Sequence, residues 1–194
     1  TTTATIGGTT ITVGPKTTAT HDLYVQKSAS TYDAQYVQDG KIHYTITAYT
    51  TVGTEDTVDI TDKLTGSNIS YDTDSFVVRG PDGNVVGKSK YTLYFADSSA
   101  SILYLPKLDA GQEYTVTYTA TPNWSATTDT TISASNTVEA KSGSDDAWNG
   151  TSTTLSLLSK SGYYDYNSKT IKWTVKVNSA HANLNGYILS DVIT

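Results

Sequence analysis

Three polar residues occupy positions where a half-buried strand would carry apolar ones. Residues two apart on a strand share a face, so Leu23, Val25 and Lys27 point one way while Tyr24, Gln26 and Ser28 point the other. The lysine therefore falls on the apolar face. The same parity sets Asp62 in a row with Val58, Ile60 and Leu64, and Asn136 in a row with Ile132, Ala134, Val138 and Ala140. An ionised Lys or Asp buried alone costs several kcal/mol, so the three side chains are expected to meet one another. In apolar surroundings burial favours the neutral amine and the protonated acid, which makes Lys27 a nucleophile and Asp62 a proton donor to the Asn136 carbonyl. The product of that chemistry is an amide cross-link formed with loss of ammonia. Taken singly, the residues read as an exposed strand lysine, a turn aspartate and a capped asparagine. Three apolar rows each interrupted by a complementary group read as a set.

Positioning such a set requires strands, and the composition supplies them. The 194 residues include 36 Thr and 15 Tyr among many Val and Ile, which favours pleated, half-buried strands over helices. Strand-like runs recur at 22–29, 41–50, 57–64, 75–79, 91–95, 101–105, 113–121 and 130–140. Breakers separate them, including Gly80-Pro81-Asp82-Gly83-Asn84, Leu108-Asp109-Ala110-Gly111 and Ser142-Gly143-Ser144-Asp145-Asp146. No helix longer than a turn or two is expected. The spacing predicts an all-β fold of immunoglobulin-like β-sandwich modules.

An internal repeat sets the module boundaries. Lys27 opens a loop leading to Ile42-His43-Tyr44-Thr45-Ile46 and then Ile60-Thr61-Asp62; Lys160 opens a loop leading to Ile171-Lys172-Trp173-Thr174-Val175 and then Leu189-Ser190-Asp191. Ile42 precedes Asp62 by 20 positions, and Ile171 precedes Asp191 by 20. Residues 21–142 are thus expected to form a complete sandwich and residues 143–194 a linker and the first strands of a second. Asn136 lies 24 before Lys160 and Thr3 lies 24 before Lys27, so residues 1–20 read as the end of a preceding module plus a Thr-rich linker.

The stretch from Lys27 through Ile42-His43-Tyr44-Thr45-Ile46 and Ile60-Thr61-Asp62-Lys63-Leu64 to Ser135-Asn136-Thr137-Val138 resembles the collagen-adhesin type immunoglobulin-like domains of Gram-positive surface proteins. Lys160, Lys172-Trp173-Thr174-Val175 and Ser190-Asp191 look like the opening half of another such domain, without a matching Asn. The resemblance implies an intramolecular isopeptide bond between Lys27 and Asn136 assisted by Asp62, with Lys160 and Asp191 as a second-module pair. It also implies an extracellular, wall-anchored stalk or adhesin repeat whose anchor lies outside this segment. Its partners would be neighbouring repeats and a host matrix protein or glycan.

Other classes of function find little support. A net charge of −6 with no Lys/Arg cluster argues against nucleic acid. With no Cys and no Met, disulfides and thiolate metal sites are excluded, so rigidity must come from the core, from ions or from another covalent link. No apolar run is long enough to span a bilayer, and no cofactor is implied. His21, His43 and His181 are scattered, with no nucleophile turn to support hydrolysis, so the only reaction expected is a single self-cross-linking turnover. Asp72-Thr73-Asp74 and Asp145-Asp146 lack the spacing of a calcium loop. Gly14-Pro15-Lys16 faintly resembles the lysine motif that joins pilin subunits. Trp124, Trp148 and Trp173 are the candidates for a sugar-stacking platform, although Trp173 fits a core strand and Trp148 a junction between modules.

Overall fold

The computed structural model describes residues 2–6, 9–13 and 22–191. Among these residues sixteen strands run in chain order: β1 (Thr2–Ile6), β2 (Thr9–Val13), β3 (Leu23–Ser30), β4 (Ile42–Thr50), β5 (Thr54–Glu55), β6 (Val58–Thr65), β7 (Ile69–Tyr71), β8 (Val77–Arg79), β9 (Thr92–Ala96), β10 (Ser99–Leu105), β11 (Leu108–Asp109), β12 (Glu113–Pro122), β13 (Thr131–Ser142), β14 (Asp145–Ser156), β15 (Leu158–Asp165) and β16 (Thr170–Val177). The only helical pieces among the described residues are single 3₁₀ turns, such as Trp124–Ala126. None of them is long and apolar enough to cross a membrane.

Alternation drives the fold. Strand β4 buries every second residue, Ile42, Tyr44, Ile46 and Ala48, while His43, Thr45 and Thr47 stay half-exposed. Strands β12 and β13 repeat the pattern with Tyr114, Val116, Tyr118 and Ala120, and with Ile132, Ala134, Asn136, Val138 and Ala140. A strand apolar on one face must cover that face with another sheet. One sheet has the order β14-β13-β6-β10-β9; the other has β3-β4-β12-β7, with β8 also on β12. All pairings are antiparallel, and the two inner faces form one core. This is an immunoglobulin-like β-sandwich.

Two features of the β14-β13-β6-β10-β9 sheet were not foreseen in the sequence. The segment expected to be a linker at 143–150 is the first half of β14, paired with β13 through all twelve of its residues from Ser142↔Asp145 to Thr131↔Ser156. The turn at Gly143, whose φ is +57°, reverses the chain directly onto its neighbour, so the sheet continues to residue 156. Strand β10 carries a bulge between Ile102 and Leu105, where Tyr104 has φ +64° and its N–H donates to Asp59 Oδ1 at 2.7 Å.

Beyond Leu157, β15 and β16 form a separate hairpin in which Lys160 pairs with Val175 and Gly162 with Trp173. In the sandwich, Lys27 pairs with Ile46 and Ala29 with Tyr44. The spacing repeat is therefore also a repeat of strand register. A Cβ at Gly162 would stand 2.5 Å from the Trp173 ring, so the larger aromatic of the second copy is matched by a smaller residue opposite it.

Candidate cross-linking site

Lys27 reaches the core from β3, at one end of its sheet, and Asp62 and Asn136 reach it from neighbouring strands of the facing sheet. Asp62 pairs with Val138 and Asn136 with Leu64, so the two polar residues are diagonal neighbours on the inner face of the β6–β13 ladder. On its other flank Asp62 pairs with Ala100, a small, fully buried residue. Facing sheets lie about 10 Å apart, a gap that a lysine side chain can bridge.

The side chains of Lys27 and Asp62 are both 0% exposed and form an ion pair through Nζ and Oδ2. Lys27 Nζ also donates to the Tyr118 hydroxyl at 2.8 Å. Asp62 Oδ1 accepts from the Tyr118 hydroxyl at 2.7 Å and from the Tyr71 hydroxyl at 2.8 Å. Asn136 Nδ2 donates to the Tyr118 oxygen at 2.7 Å, while its Oδ1 is buried without a hydrogen bond. The three residues read from strand parity are thus brought together, and a tyrosine hydroxyl touches all of them.

Aromatic packing fixes that hydroxyl. Tyr118 stacks on Tyr44 at 5.2 Å between centroids and on Phe76 at 4.4 Å, with Tyr71 tilted against it at 5.6 Å. Lys27 Nζ lies 5.1 Å from the Tyr44 centroid and 5.2 Å from that of Tyr118. A cage of this kind favours an ammonium through the ring faces while withholding water from it.

Burial lowers the affinity of Lys27 for its proton, opposed by the charge and hydrogen bond of Asp62. Burial, reinforced by the Asp62 charge, pushes Tyr118 and Tyr71 far above the ordinary phenol range, and Tyr44 is raised to about 12, chiefly by burial. All three phenols stay protonated at neutral pH. The Tyr44 hydroxyl lies beside the Asn136 carboxamide, yet neither it nor Asn136 Oδ1 completes a hydrogen bond. The arrangement unites a buried amine of lowered basicity, a carboxylate holding its other end and a carboxamide with an uncommitted carbonyl oxygen. Those are the components of amide exchange.

The second pair is also assembled. Lys160 Nζ meets Asp191 Oδ1 at 2.5 Å and lies 4.6 Å from the Trp173 ring centroid. Here the groups are 33% and 46% exposed, and the same face of β16 shows Ile171, Trp173, Val175 and Val177 to solvent.

The remaining candidates separate. His43 joins Asp39 at 3.0 Å on the surface, His181 lies in a turn, and His21 falls outside the described residues, as does Gly14-Pro15-Lys16. Asp72 is taken up by Lys41, Thr119 and Thr121. No group of three or more His, Asp or Glu suited to a metal occurs among the described residues. Trp124 is buried, while Trp148 and Trp173 are 63% and 50% exposed on different strands, so the tryptophans build no shared platform.

Sequence reasoning missed the tyrosines. Tyr44 and Tyr118 lie on the apolar rows of β4 and β12, and a buried phenol needs a partner, so the signal was present. What was missing was knowledge that β12 and β6 face each other.

Comparisons place the fold in a known company. No family model and no curated protein matches the sequence. Among solved structures, the full-length major pilin SpaD of Corynebacterium diphtheriae is similar at 18% identity and TM-score 0.50, over 71% of this chain and 36% of that one. The collagen-binding subdomain ACE19 of the Enterococcus faecalis surface protein ACE aligns at 13% identity and TM-score 0.43, over 68% of this chain and 95% of that one. The collagen-binding domain of the Erysipelothrix rhusiopathiae surface protein RspB aligns at 14% identity and TM-score 0.43, over 79% and 49%. The chain spans about a third of the pilin's length, and what it shares with that protein is the immunoglobulin-like sandwich.

Proposed function

We propose that this chain is a structural stalk or adhesin segment of a Gram-positive surface protein, held by an autocatalytic isopeptide bond between Lys27 Nζ and Asn136 Cγ. The observation that carries the reading is the sealed cluster of Lys27, Asp62 and Asn136, contributed by two facing sheets and sharing the Tyr118 hydroxyl. An unlinked ion pair gives a buried site little net stability, whereas amide formation removes both the buried charge and the strained need for a partner. Asp62 accepts the ammonium proton at Oδ2 and frees the amine for attack; the reaction turns over once per molecule.

Lys27 and Asn136 lie 109 positions apart, on the first and last strands of the expected module. By analogy with a disulfide closing a loop of about 100 residues, the bond adds roughly 4 to 5 kcal/mol by restricting the unfolded chain. It would also carry tension between the two sheets through a covalent link. Lys160 repeats the amine in the same strand register and meets Asp191 as its acid, so we assign residues 158–191 to the opening of a second module, with Lys160 and Asp191 as its candidate pair and no matching Asn, and residues 1–20 to the end of a preceding module plus a linker.

Intact mass tests the proposal. The purified chain should weigh less than its sequence by one ammonia, and Lys27→Ala should restore that mass after allowance for the substitution. Tryptic mapping should recover Lys27 and Asn136 in one branched peptide. A full sequence mass with the two residues in separate peptides would leave only a hydrogen-bonded cluster.

A second reading, recognition of a matrix protein or glycan, is favoured by one surface feature. An open groove of about 430 Å³ lies over Ser28, Ser30, His43 and Thr45, walled by Tyr32 and the 86% exposed Tyr36. Reproducible micromolar binding on a matrix-protein and glycan array, lost in Tyr36→Ala, would assign the chain a ligand of its own.

A further inference from the structure

We propose that Tyr118 is a catalytic residue of the cross-link, relaying a proton through its hydroxyl from the attacking amine to the departing carboxamide nitrogen. The inference rests on the isopeptide reading and names the group that makes the reaction balance. Its geometry is specific. The Tyr118 oxygen accepts from both reacting nitrogens, Lys27 Nζ at 2.8 Å and Asn136 Nδ2 at 2.7 Å, while its proton points to Asp62 Oδ1 at 2.7 Å. Among the described residues, no other side chain bonds to both nitrogens.

The step can be written with every proton placed. Lys27 first gives a proton to Asp62 Oδ2, leaving a neutral amine and a neutral acid. The Nζ lone pair then attacks Asn136 Cγ, forming the Nζ–Cγ bond and moving the carbonyl π pair onto Oδ1. The intermediate has an excess proton on Nζ, which must be lost, and lacks one on Nδ2, which cannot leave as an amide anion. Protonation of Asp62 weakens its hold on the Tyr118 hydrogen, so that hydrogen can swing to Nδ2 as the oxygen takes the proton from Nζ. The Cγ–Nδ2 bond breaks, ammonia departs, and the carbonyl and the tyrosine are both regenerated. Asp62 keeps the proton it took from Lys27, so the linked cluster is left without a charge and the ammonia departs neutral.

Two features suit Tyr118 to relaying instead of storing a proton. Burial and the adjacent carboxylate make a free phenolate inaccessible, so the hydroxyl gives a proton only while receiving one. Its ring is held between Tyr44 and Phe76, so the oxygen stays between the two nitrogens while only the hydrogen moves. Tyr71 supplies an internal control, since its hydroxyl bonds to the same Asp62 Oδ1 but contacts neither nitrogen in these hydrogen bonds.

The experiment starts the clock by diluting the full 194-residue chain, recovered unfolded in urea from inclusion bodies, into refolding buffer. Folding is followed by near-ultraviolet circular dichroism and ammonia loss by intact mass. Tyr118→Phe should fold at the wild-type rate and lose ammonia about 10² to 10⁴ times more slowly, the range for removal of a positioned acid-base group. Tyr71→Phe should slow the loss at least about tenfold less than Tyr118→Phe does, as expected for a group acting only through Asp62. In mixtures of H₂O and D₂O the wild-type rate should curve with isotope fraction, as two protons move together. The relay is overturned if Tyr118→Phe reacts within a few-fold of wild type, if Tyr71→Phe is slowed equally, or if the wild-type isotope plot is linear. The last result decides even if Tyr118→Phe does not fold. A wild-type chain that folds and loses no ammonia overturns the isopeptide reading itself, and the relay with it.

Discussion

Asp62 and Asn136 sit diagonally across the β6–β13 ladder, with Asp62 opposite Val138 and Asn136 opposite Leu64. Two residues on adjacent strands of one sheet thus present an acid and an amide to a lysine arriving from the other. In the proposed reaction the acid takes the lysine proton, whereas the sandwich is held by its apolar rows. Asp62→Ala should therefore fold and leave Lys27 and Asn136 unlinked. Losing the constraint and the buried partner of Lys27 should lower the melting temperature by about 10 to 20 °C. Intact mass and calorimetry on one preparation check both halves.

Asp72, which directly follows β7, ties β12 to the residue that precedes β4. It accepts from Lys41 Nζ at 2.8 Å, from Thr119 Oγ1 at 2.5 Å and from Thr121 Oγ1 at 2.7 Å. Burial alone would raise its pKa, and the hydrogen bonds and the Lys41 charge more than reverse that, holding it below the ordinary 3.8. A carboxylate with a depressed folded pKa stabilises fully above its unfolded value and loses that contribution as pH falls through the folded one. Asp72→Asn should cost about 0.5 to 1.5 kcal/mol at neutral pH, a modest figure because Lys41 is solvent-accessible. Urea midpoints should show the gap between variant and wild type narrowing as pH drops below 3.8.

Gly40 has φ +78°, and a Cβ there would lie 2.9 Å from the backbone oxygen of His181. The turn before β4 is thus in close contact with the segment that follows β16. Gly40→Ala combines left-handed strain with a clash against backbone, at a cost of about 1 to 3 kcal/mol. Hydrogen exchange should show faster exchange around residues 178–182 than in wild type.

The hairpin β15–β16 exposes Ile171 at 58%, Trp173 at 50% and Val177 at 49% on the face that holds Lys160. An apolar stripe of this kind binds hydrophobic dyes and favours self-association. Replacing Ile171 and Val177 together by Ser should reduce dye fluorescence and concentration-dependent sedimentation without changing the melting of the sandwich.

The parts of the site legible in the sequence were those that depend on local parity. Lys27, Asp62 and Asn136 each break an apolar row, and a row is visible within five residues of chain. Tyr118 and Tyr71 were hidden because their roles depend on which strands face each other, which no local pattern encodes. Strand β14 was illegible for a different reason. It contains Asp145, Asp146, Asn149 and Gly150, residues depleted in strands, and has only a sparse apolar alternation. Pairing along the full length of β13 overrides that weak preference. The bulge in β10 likewise answers to the neighbouring β6, through Asp59, and not to its own sequence.

Leu157 is the one residue between β14 and β15. Its N–H donates to the Thr130 carbonyl at 2.8 Å, and its carbonyl accepts from Asn178 N–H at 2.6 Å, so one bond faces the sandwich and the other the hairpin. Its side chain is buried with Leu155 in the common core. A joint whose two peptide groups are both committed has no free torsion to serve as a swivel. Under the proposed tandem arrangement, a pull on the hairpin would reach the sandwich through the two hydrogen bonds and the buried side chain of this joint, not through a slack linker.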